Sequence, residues 1–224
     1  INQIALDNNL IVIEDAAQSL GSYHNSRRSG NLSPIACTSF FPTKPLGCYG
    51  DGGAVFVQSS KLANKIRMLA RHGQSKKYHH DLVGMNSRLD TIQAAILIEK
   101  LKIFPKELEL RSQVATGYSA ALEGCCKVPR LSPEITSSWA QYTIIVNDQK
   151  AVQSGLREQG IPSVIYYPIP LTKQIGYSHY PKVSSKTRMS EELASSVLSL
   201  PMHPYLTSFS QSHVLKKLIP LLKS

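Results

Sequence analysis

The chain has 224 residues, a hydrophobic content of 42% and a formal net charge of +10. The hydrophobic content is ordinary for a soluble globular protein, and no apolar run approaches the ~18 residues of a membrane span. The positive charges are scattered in short groups without a nucleic-acid-binding motif, so no nucleic-acid partner is expected. Because no signal peptide is recognisable either, we expect a cytoplasmic protein without a membrane partner.

The cysteines and histidines give no metal-binding pattern. The four cysteines lack the paired spacing of a zinc site, and the adjacent Cys125 and Cys126 do not resemble a disulfide framework. We therefore expect reduced thiols. The adjacent His79 and His80 would point to different sides of a helix or strand, so no metal site is expected there.

The first half of the chain alternates short apolar runs with helical patterns. Hydrophobic periodicity and turn residues divide this half into segments. In chain order they are the end of a helix (1–8), a buried strand (10–15), a loop (19–33), a strand (36–41), a strand (53–58), an amphipathic helix (60–72) and a mobile loop (74–87).

The second half opens with the longest helical pattern, residues 90–123. Pro105 is expected to kink or divide this helix, because a proline cannot donate the backbone hydrogen bond of a helix interior. We place a domain boundary there, between residues 1–104 and 105–224. The predicted elements that follow are a strand (142–146), a helix (149–159), a strand (163–167) and two helices (187–199 and 210–223).

Three side chains near the first two strands suggest a cofactor site. Asp15 ends the first strand, Ser39 lies near the end of the second, and Lys44 follows in a loop that Pro42 and Pro45 stiffen. A carboxylate, a hydroxyl and an amine suit pyridoxal phosphate, with Lys44 bound covalently and Asp15 paired with the pyridine nitrogen. Spacing alone leaves open the alternative of a solvated loop lysine and a helix N-cap at Asp15.

Several linked motifs closely resemble the DegT/StrS family of sugar aminotransferases, which are pyridoxal phosphate enzymes of fold type I. In chain order, these motifs are Glu14-Asp15-Ala16-Ala17-Gln18-Ser19, Ser39-Phe40-Phe41-Pro42-Thr43-Lys44, Gly50-Asp51-Gly52-Gly53-Ala54, Arg71-His72-Gly73, Gly84-Met85-Asn86-Ser87-Arg88-Leu89-Asp90, Gln93-Ala94-Ala95, Tyr167-Pro168-Ile169-Pro170-Leu171 and Leu200-Pro201-Met202-His203-Pro204. The resemblance implies an α/β fold. Residues 1–104 would be the C-terminal part of an aspartate aminotransferase-like large domain with a mostly parallel sheet, and 105–224 a smaller α+β C-terminal domain.

The resemblance also implies roles for the cofactor-binding residues. Lys44 is the catalytic lysine that binds the cofactor, and Asp15 keeps the pyridinium protonated. Gln18 contacts the region of the cofactor's phenolic oxygen, and Ser39 is a phosphate ligand. Asn86 matches a residue that relatives donate to the phosphate across a dimer, which implies a homodimer with composite active sites.

Two residues are matched to the substrate. Arg88 is expected to bind a substrate carboxylate through its planar guanidinium, and the alternative is a salt bridge to Asp90 or Glu99. Tyr167 matches a substrate-binding position, and Tyr166 before it stands where many relatives carry histidine.

These features predict a transfer of an amino group from glutamate to a keto group of a nucleotide-linked sugar, in surface polysaccharide or amino-sugar biosynthesis. The residues between Ser39 and Lys44, which are Phe40-Phe41-Pro42-Thr43, most resemble those of the subgroup that acts on 3-keto nucleotide sugars, including uronic acids. A related sugar dehydratase is an alternative, but those relatives carry histidine in place of the lysine at 44.

A second alternative is a non-catalytic fragment or paralogue that folds only with a partner. The chain resembles the C-terminal portion of the family without its N-terminal segment, which carries phosphate-binding groups and a stacking aromatic. We therefore expect the 224-residue chain alone to bind cofactor weakly and to lack turnover.

Overall fold

The computed structural model describes residues 1–181 and 188–223 and divides into two compact units. The first comprises Ile1–Leu108 together with Leu131–Ala140. The second comprises Glu109–Arg130 and the described residues from Gln141 onward. The assignment of residues 1–104 and 105–224 as cofactor-binding and small domains stays a prediction.

The first unit contains most of the short strands. Its elements are α1 (Asn2–Asp7), β1 (Ile13–Asp15), β2 (Tyr23–His24), β3 (Arg27–Arg28), β4 (Ile35–Ser39), β5 (Gly53–Val57), α2 (Ser60–Leu69), β6 (Gln74–Lys76), β7 (His79–His80), the first half of α3 (Thr91–Leu122) and β8 (Ile135–Thr136). Ser59 caps α2, since its side chain accepts a hydrogen bond from the backbone of Leu62.

The central sheet of this unit has the order β1-β4-β5. Strand β1 is parallel to β4, whereas β4 and β5 are antiparallel, so parallel pairing in the described sheet is confined to β1 and β4. The prediction of a buried strand over 10–15 was wrong in extent and burial. Only the last three residues form a strand, and Ile11 and Ile13 are 80% and 62% exposed. Within the described residues β1 pairs on one side only, with β4.

Two predicted loops contain hairpins. The segment 19–33 holds the antiparallel pair β2–β3, to which β8 adds a third strand. The segment 74–87 holds the pair β6–β7. Asn25, Ser26 and Tyr78 adopt positive φ angles at the turns, which lets the chain reverse within a few residues. Strands of two or three residues leave too little alternation for sequence patterns to reveal them.

Helix α3 is continuous over 32 residues, with Pro105 inside it, so the predicted division at this proline was wrong. Burial on both sides of Pro105 explains the continuity. Leu97 and Phe104 are buried before it, and Tyr118 and Leu122 are buried after it. Tertiary packing therefore offsets the one backbone hydrogen bond that the proline cannot donate.

The second unit is built on an antiparallel strand pair. Its elements are the second half of α3, β9 (Tyr142–Ile145), α4 (Gln149–Glu158), 3₁₀ turns at Leu171–Lys173 and Ile175–Tyr177, α5 (Arg188–Ala194), β10 (Val197–Leu200) and α6 (Ser208–Lys223). Its core contains the fully buried side chains Tyr118, Leu122, Tyr142, Ile144, Leu156, Leu198 and Leu218.

Two predictions in this unit were wrong. The strand over 163–167 is reduced to one bridge between Val164 and Ser199. The helix over 187–199 ends at Ala194, and its last predicted turn is instead β10, which pairs with β9. Residue 187 lies outside the described residues. The pairing buries Leu198 and Leu200 in the core, and this tertiary contact decides between helix and strand for a short apolar run.

Within residues 1–181 and 188–223, no helix has both the length and the apolar character that crossing a membrane requires. The helices predicted over 60–72, 149–159 and 210–223 are present as α2, α4 and α6. All four cysteines are free thiols, as expected from their spacing.

Candidate active site

Asp15 and Ser39 lie on one face of the central sheet. In the register of β1 and β4, Asp15 pairs with Cys37, two positions before Ser39. Because side chains alternate between the faces of a strand, all three point to the same side. Strands β1 and β4 are parallel and end at Asp15 and Ser39, so the carboxylate and the hydroxyl lie at the C-terminal ends of neighbouring strands.

Asp15 also orders the chain that follows it. Its Oδ1 accepts a hydrogen bond from the backbone N–H of Ala17 at 2.9 Å. The residues after Asp15 form turns and not a helix, so the alternative of a helix N-cap was wrong. The second carboxylate oxygen has no partner among the described residues and remains available as an acceptor.

Gln18 lies in this turn with an exposed side chain. Its backbone carbonyl accepts a hydrogen bond from Ser138 Oγ at 3.2 Å. The side-chain amide makes no hydrogen bond to the part of the chain that the structure describes. Gln18 therefore presents a free amide three positions after Asp15.

Glu14 is a residue whose role the sequence did not indicate. Its carboxylate accepts hydrogen bonds from Ser29 Oγ at 2.9 Å, from Gly30 N at 2.8 Å and from Leu32 N at 2.9 Å. Since it precedes Asp15 in the strand, its side chain points to the opposite face. Glu14 thus anchors the 29–32 loop behind the strand that carries Asp15.

Lys44 lies in a tight loop after β4. Its backbone N–H donates to Phe41 O at 2.9 Å, and its side chain is half-buried. Among the described residues, Nζ has no hydrogen-bond or ion-pair partner. At Gly47 a Cβ atom would lie 2.6 Å from Pro42 O, so the loop closes too tightly for any larger residue. The loop is therefore a compact turn that presents a free amine.

The base of this loop packs against α3. Leu46 and Cys48 form a buried cluster with Leu97 and Phe104. The side-chain oxygen of Gln93 accepts a hydrogen bond from the backbone N–H of the residue after Cys48, at 2.8 Å. Gln93 lay inside a recognised motif, but no role had been assigned to it, and nothing in the sequence indicated a role for Cys48.

Asn86 and Arg88 contact each other directly. Arg88 Nε donates a hydrogen bond to Asn86 Oδ1 at 2.8 Å, and Asn86 forms a backbone bridge with Arg71. The alternative of a salt bridge from Arg88 to Asp90 or Glu99 was wrong, because Arg88 bonds Asn86 and Glu99 pairs with Lys102 at 2.7 Å.

The two residues line a cleft of about 720 Å³ between β5, α2 and the 86–90 segment. Asp51 and Arg67 add one charge of each sign to its lining. Among the described residues, Asp15, Gln18, Ser39 and Lys44 lie outside that lining. The lining does include Cys37 and Thr38 of β4, so the cleft borders the strand that ends at Ser39.

Tyr167 belongs to the second unit. Its side chain is 62% exposed and lines a cavity of about 710 Å³ that is formed by the 166–174 segment, α5 and Val197. The rings of Tyr166 and Tyr167 meet edge to face, with centroids 5.4 Å apart. The lining is mostly apolar, so the tyrosine hydroxyls are among its few polar groups.

The residues around the end of β4 fit pyridoxal phosphate chemically. The free oxygen of Asp15 can pair with a protonated pyridine nitrogen, and the Ser39 hydroxyl can donate to a phosphate. The unpartnered amine of Lys44 can attack a carbonyl carbon. The chain therefore holds an acceptor, a donor and a nucleophile suited to this cofactor.

Comparisons with known proteins show the family of this chain. Residues 1–219 match the model of the DegT/DnrJ/EryC1/StrS aminotransferase family. A Pseudomonas aeruginosa relative, UDP-2-acetamido-2-deoxy-3-oxo-D-glucuronate aminotransferase, is 49% identical over 211 residues. That alignment covers 94% of this chain and 58% of the relative, so the chain spans less than two thirds of that protein's length.

Two solved structures show the fold. A DegT DnrJ EryC1 StrS aminotransferase from Brucella abortus matches with a TM-score of 0.93 and 43% identity, over 99% of this chain and 59% of that one. NtdA from Bacillus subtilis, solved with its bound cofactor PMP, matches with a TM-score of 0.88 and 30% identity, over 100% of this chain and 53% of that one. These matches confirm the predicted α/β fold of type I aminotransferases. The chain belongs to the DegT/DnrJ/EryC1/StrS aminotransferase family.

Proposed function

We propose that the protein is a pyridoxal phosphate-dependent aminotransferase that moves an amino group from glutamate to a keto group of a nucleotide-linked sugar. The observation that carries this proposal is the free, half-buried Lys44, five positions after a serine that shares a sheet face with Asp15. Family membership and the bound cofactor of the Bacillus structure support it.

Each of the predicted cofactor-binding residues has a task in such a reaction. When bound, pyridoxal phosphate supplies an electron sink for the carbon that gains or loses the amino group. Asp15 accepts a hydrogen bond from the protonated ring nitrogen and keeps that proton in place. Ser39 donates a hydrogen bond to the phosphate. The amine of Lys44 would bind the cofactor and would remove or return the proton at the substrate carbon. Gln18 would offer its free amide to the cofactor.

The proposed substrate is a 3-keto sugar that carries a carboxylate. The name of the Pseudomonas relative supports this class, since that protein is called a 3-oxo-glucuronate aminotransferase. Arg88 is the residue suited to the carboxylate, because its planar guanidinium can bind both carboxylate oxygens at once. Tyr167 would contact the sugar from its apolar cavity with a hydroxyl as the polar group.

We also propose a homodimer with composite active sites. The match of Asn86 to a residue that relatives donate across a dimer supports this, and Asn86 and Arg88 are both exposed on this chain. A cytoplasmic location completes the proposal, and it is supported by four free thiols, which are typical of a reducing compartment. The dehydratase alternative is disfavoured because Lys44 is present.

Borohydride reduction in the presence of pyridoxal phosphate, followed by peptide mapping, tests the proposal. The phosphopyridoxyl group should be found on Lys44. A Lys44→Arg variant, which keeps the charge but is a poor nucleophile, should lose this label. Labelling of the exposed Lys61 or of Lys65 in place of Lys44 would reject the assignment. Asp15→Asn should keep the label, and in a form of the protein that turns over it should lower turnover by several orders of magnitude, because an uncharged ring is a poor electron sink.

A further inference from the structure

The side chain of Gln93 bonds the backbone of the segment that carries Lys44. Gln93 lies in the first turn of α3, and its Oε1 accepts the backbone N–H of Tyr49 at 2.8 Å. At Gly50, a Cβ atom would lie 3.0 Å from Gln93 Nε2. The amide therefore lies directly against the backbone at residues 49 and 50, and the absence of a side chain at Gly50 makes room for it.

The same segment is closed on itself by Cys48. Its thiol lies 3.0 Å from Phe40 O and 3.1 Å from Gly50 O, so its single hydrogen is shared between two carbonyls. The backbone N–H of Cys48 also donates to Phe40 O at 2.8 Å, and Phe40 N donates to Gly52 O at 2.7 Å. These bonds join the two ends of the loop and leave Lys44 at its tip.

The segment from Phe40 to Gly52 is therefore a closed loop, and its contacts with α3 determine its position. The buried contacts of Leu46 and Cys48 with Leu97 supply apolar adhesion but little direction. A hydrogen bond has a preferred length and angle, and Gln93 makes such a bond from its α3 side chain to the backbone of this segment. We propose that Gln93 is a positioning residue that sets the location of Lys44 relative to Asp15 and Ser39.

This inference rests on the proposed function, because it assigns Gln93 a purpose in the reaction of Lys44. It differs from a general stabilising role in one measurable way. Gln93 is only half-buried, and methionine has nearly the same length and helix propensity, so Gln93→Met should keep the helix and the core. What it removes is the acceptor for the Tyr49 N–H.

Hydrogen–deuterium exchange tests the link first. In Gln93→Met, the Tyr49 amide should exchange about five- to tenfold faster than in the wild type, the change expected when one hydrogen bond is lost. Gln93→Glu keeps a carboxylate oxygen in place and should restore slow exchange. Gln211→Met is the control, because Gln211 also bonds the backbone of its own unit: its Nε2 donates to Val114 O at 2.7 Å in the second unit. It should leave exchange at residue 49 unchanged.

Covalent trapping tests the consequence for Lys44. At limiting pyridoxal phosphate, borohydride should label Lys44 of Gln93→Met about fivefold less than wild-type Lys44, and Gln93→Glu should recover the label. Labels on Lys61 and Lys65 serve as internal standards and should not change. Equal Lys44 labelling in wild type and Gln93→Met would overturn the proposal even if exchange at residue 49 increases.

Hydrogen–deuterium exchange and covalent labelling distinguish a failure of the positioning role of Gln93 from a failure of the proposed function. If the wild type is not labelled at Lys44, the proposed function fails, while the exchange rates still decide whether Gln93 holds the loop. If the wild type is labelled and Gln93→Met matches it in exchange and labelling, Gln93 has no positioning role. If Lys44 labelling falls in Gln93→Met and does not recover in Gln93→Glu, the positioning role is also rejected.

Discussion

Arg88 Nε donates a hydrogen bond to Asn86 Oδ1 at 2.8 Å, which couples a residue proposed to bind substrate to one proposed to bind the cofactor phosphate. The bond leaves the two terminal amino groups of the guanidinium available for a carboxylate. It also leaves the Asn86 amide N–H groups available for a phosphate. Each side chain therefore orients the other while keeping its own donors outward.

Replacing Arg88 should distinguish substrates by charge. Arg88→Lys should raise KM about tenfold for a nucleotide-linked uronic acid, because an ammonium group cannot bind both carboxylate oxygens in one plane. For the matching sugar with a hydroxymethyl group, KM should change little. Steady-state kinetics on the two substrates measures the difference. An equal rise for both would show that Arg88 does not bind the carboxylate.

Asn86 should matter to Arg88 as well as to the cofactor. Asn86→Ala removes the acceptor of the 2.8 Å bond, so it should raise KM for the uronic acid even at saturating cofactor. In a double-mutant cycle, Asn86→Ala and Arg88→Lys should couple by about 1 kcal/mol, the order of magnitude expected for one exposed hydrogen bond. Additive effects would mean that the bond has no influence on substrate binding.

Composite sites predict complementation between Lys44→Ala and Asn86→Ala when both are assayed at limiting cofactor, where each parent should be inactive. Lys44→Ala removes the amine from a subunit's own site, and Asn86→Ala removes a donor proposed to serve the partner's site. A mixed dimer would then contain one site with both residues intact and one with neither. Purified mixed dimers should regain up to about half of the wild-type activity per dimer. If they remain as inactive as either parent, the two residues act within one subunit.

Glu14 should contribute strongly to the stability of the fold and take no part in the reaction. Glu14→Ala would leave donors on Ser29, Gly30 and Leu32 without their acceptor, and Ser29 is buried. We expect the free energy of unfolding to fall by about 2–3 kcal/mol, measured by urea denaturation. The control is Glu99→Ala, whose exposed ion pair with Lys102 should be worth less than about 0.5 kcal/mol. Similar losses for both variants would contradict the anchoring role.

Sequence patterns predicted the elements that have a long apolar periodicity or a complete local motif. The helices α2, α4 and α6 have clear apolar periodicity, and the strand before Lys44 ends in an unmistakable motif. By contrast, Val197–Leu200 is a short apolar run that suits helix and strand equally. Its partner β9 lies about fifty residues earlier in the chain, so only the folded contact decides.

The same distinction applies to the site. Asp15, Ser39 and Lys44 were predicted as site residues because their residue types and order suit the chemistry, and these assignments stay predictions. The supporting contacts of Glu14 and Cys48 could not be found in this way. A carboxylate that binds a loop 15 to 18 positions away, or a buried thiol shared by two carbonyls, is defined by distances that a sequence does not state.

The second unit holds a buried tyrosine that should make its stability fall at alkaline pH. Burial, with the neighbouring Tyr142 as a smaller cause, raises the pKa of Tyr118 well above its usual value of 10.0. Burial also raises the pKa of Cys126 to about 11. In the folded state these groups keep their protons at pH values where the unfolded chain ionises. Their contribution to stability is therefore complete below the unfolded pKa and is lost as pH rises toward the folded pKa.

Tyr118→Phe should weaken the protein at neutral pH but flatten this alkaline loss. The hydroxyl donates to Pro201 O at 3.0 Å, so its removal should lower the free energy of unfolding by about 1 kcal/mol at pH 7. Between pH 9 and 11, however, the variant should lose less stability than the wild type, because phenylalanine cannot ionise in the unfolded chain. Urea denaturation at pH 7, 9 and 11 measures both effects. Tyr177→Phe, at an exposed position, is the control and should follow the wild type. Parallel losses for wild type and Tyr118→Phe would show that Tyr118 does not govern the alkaline transition.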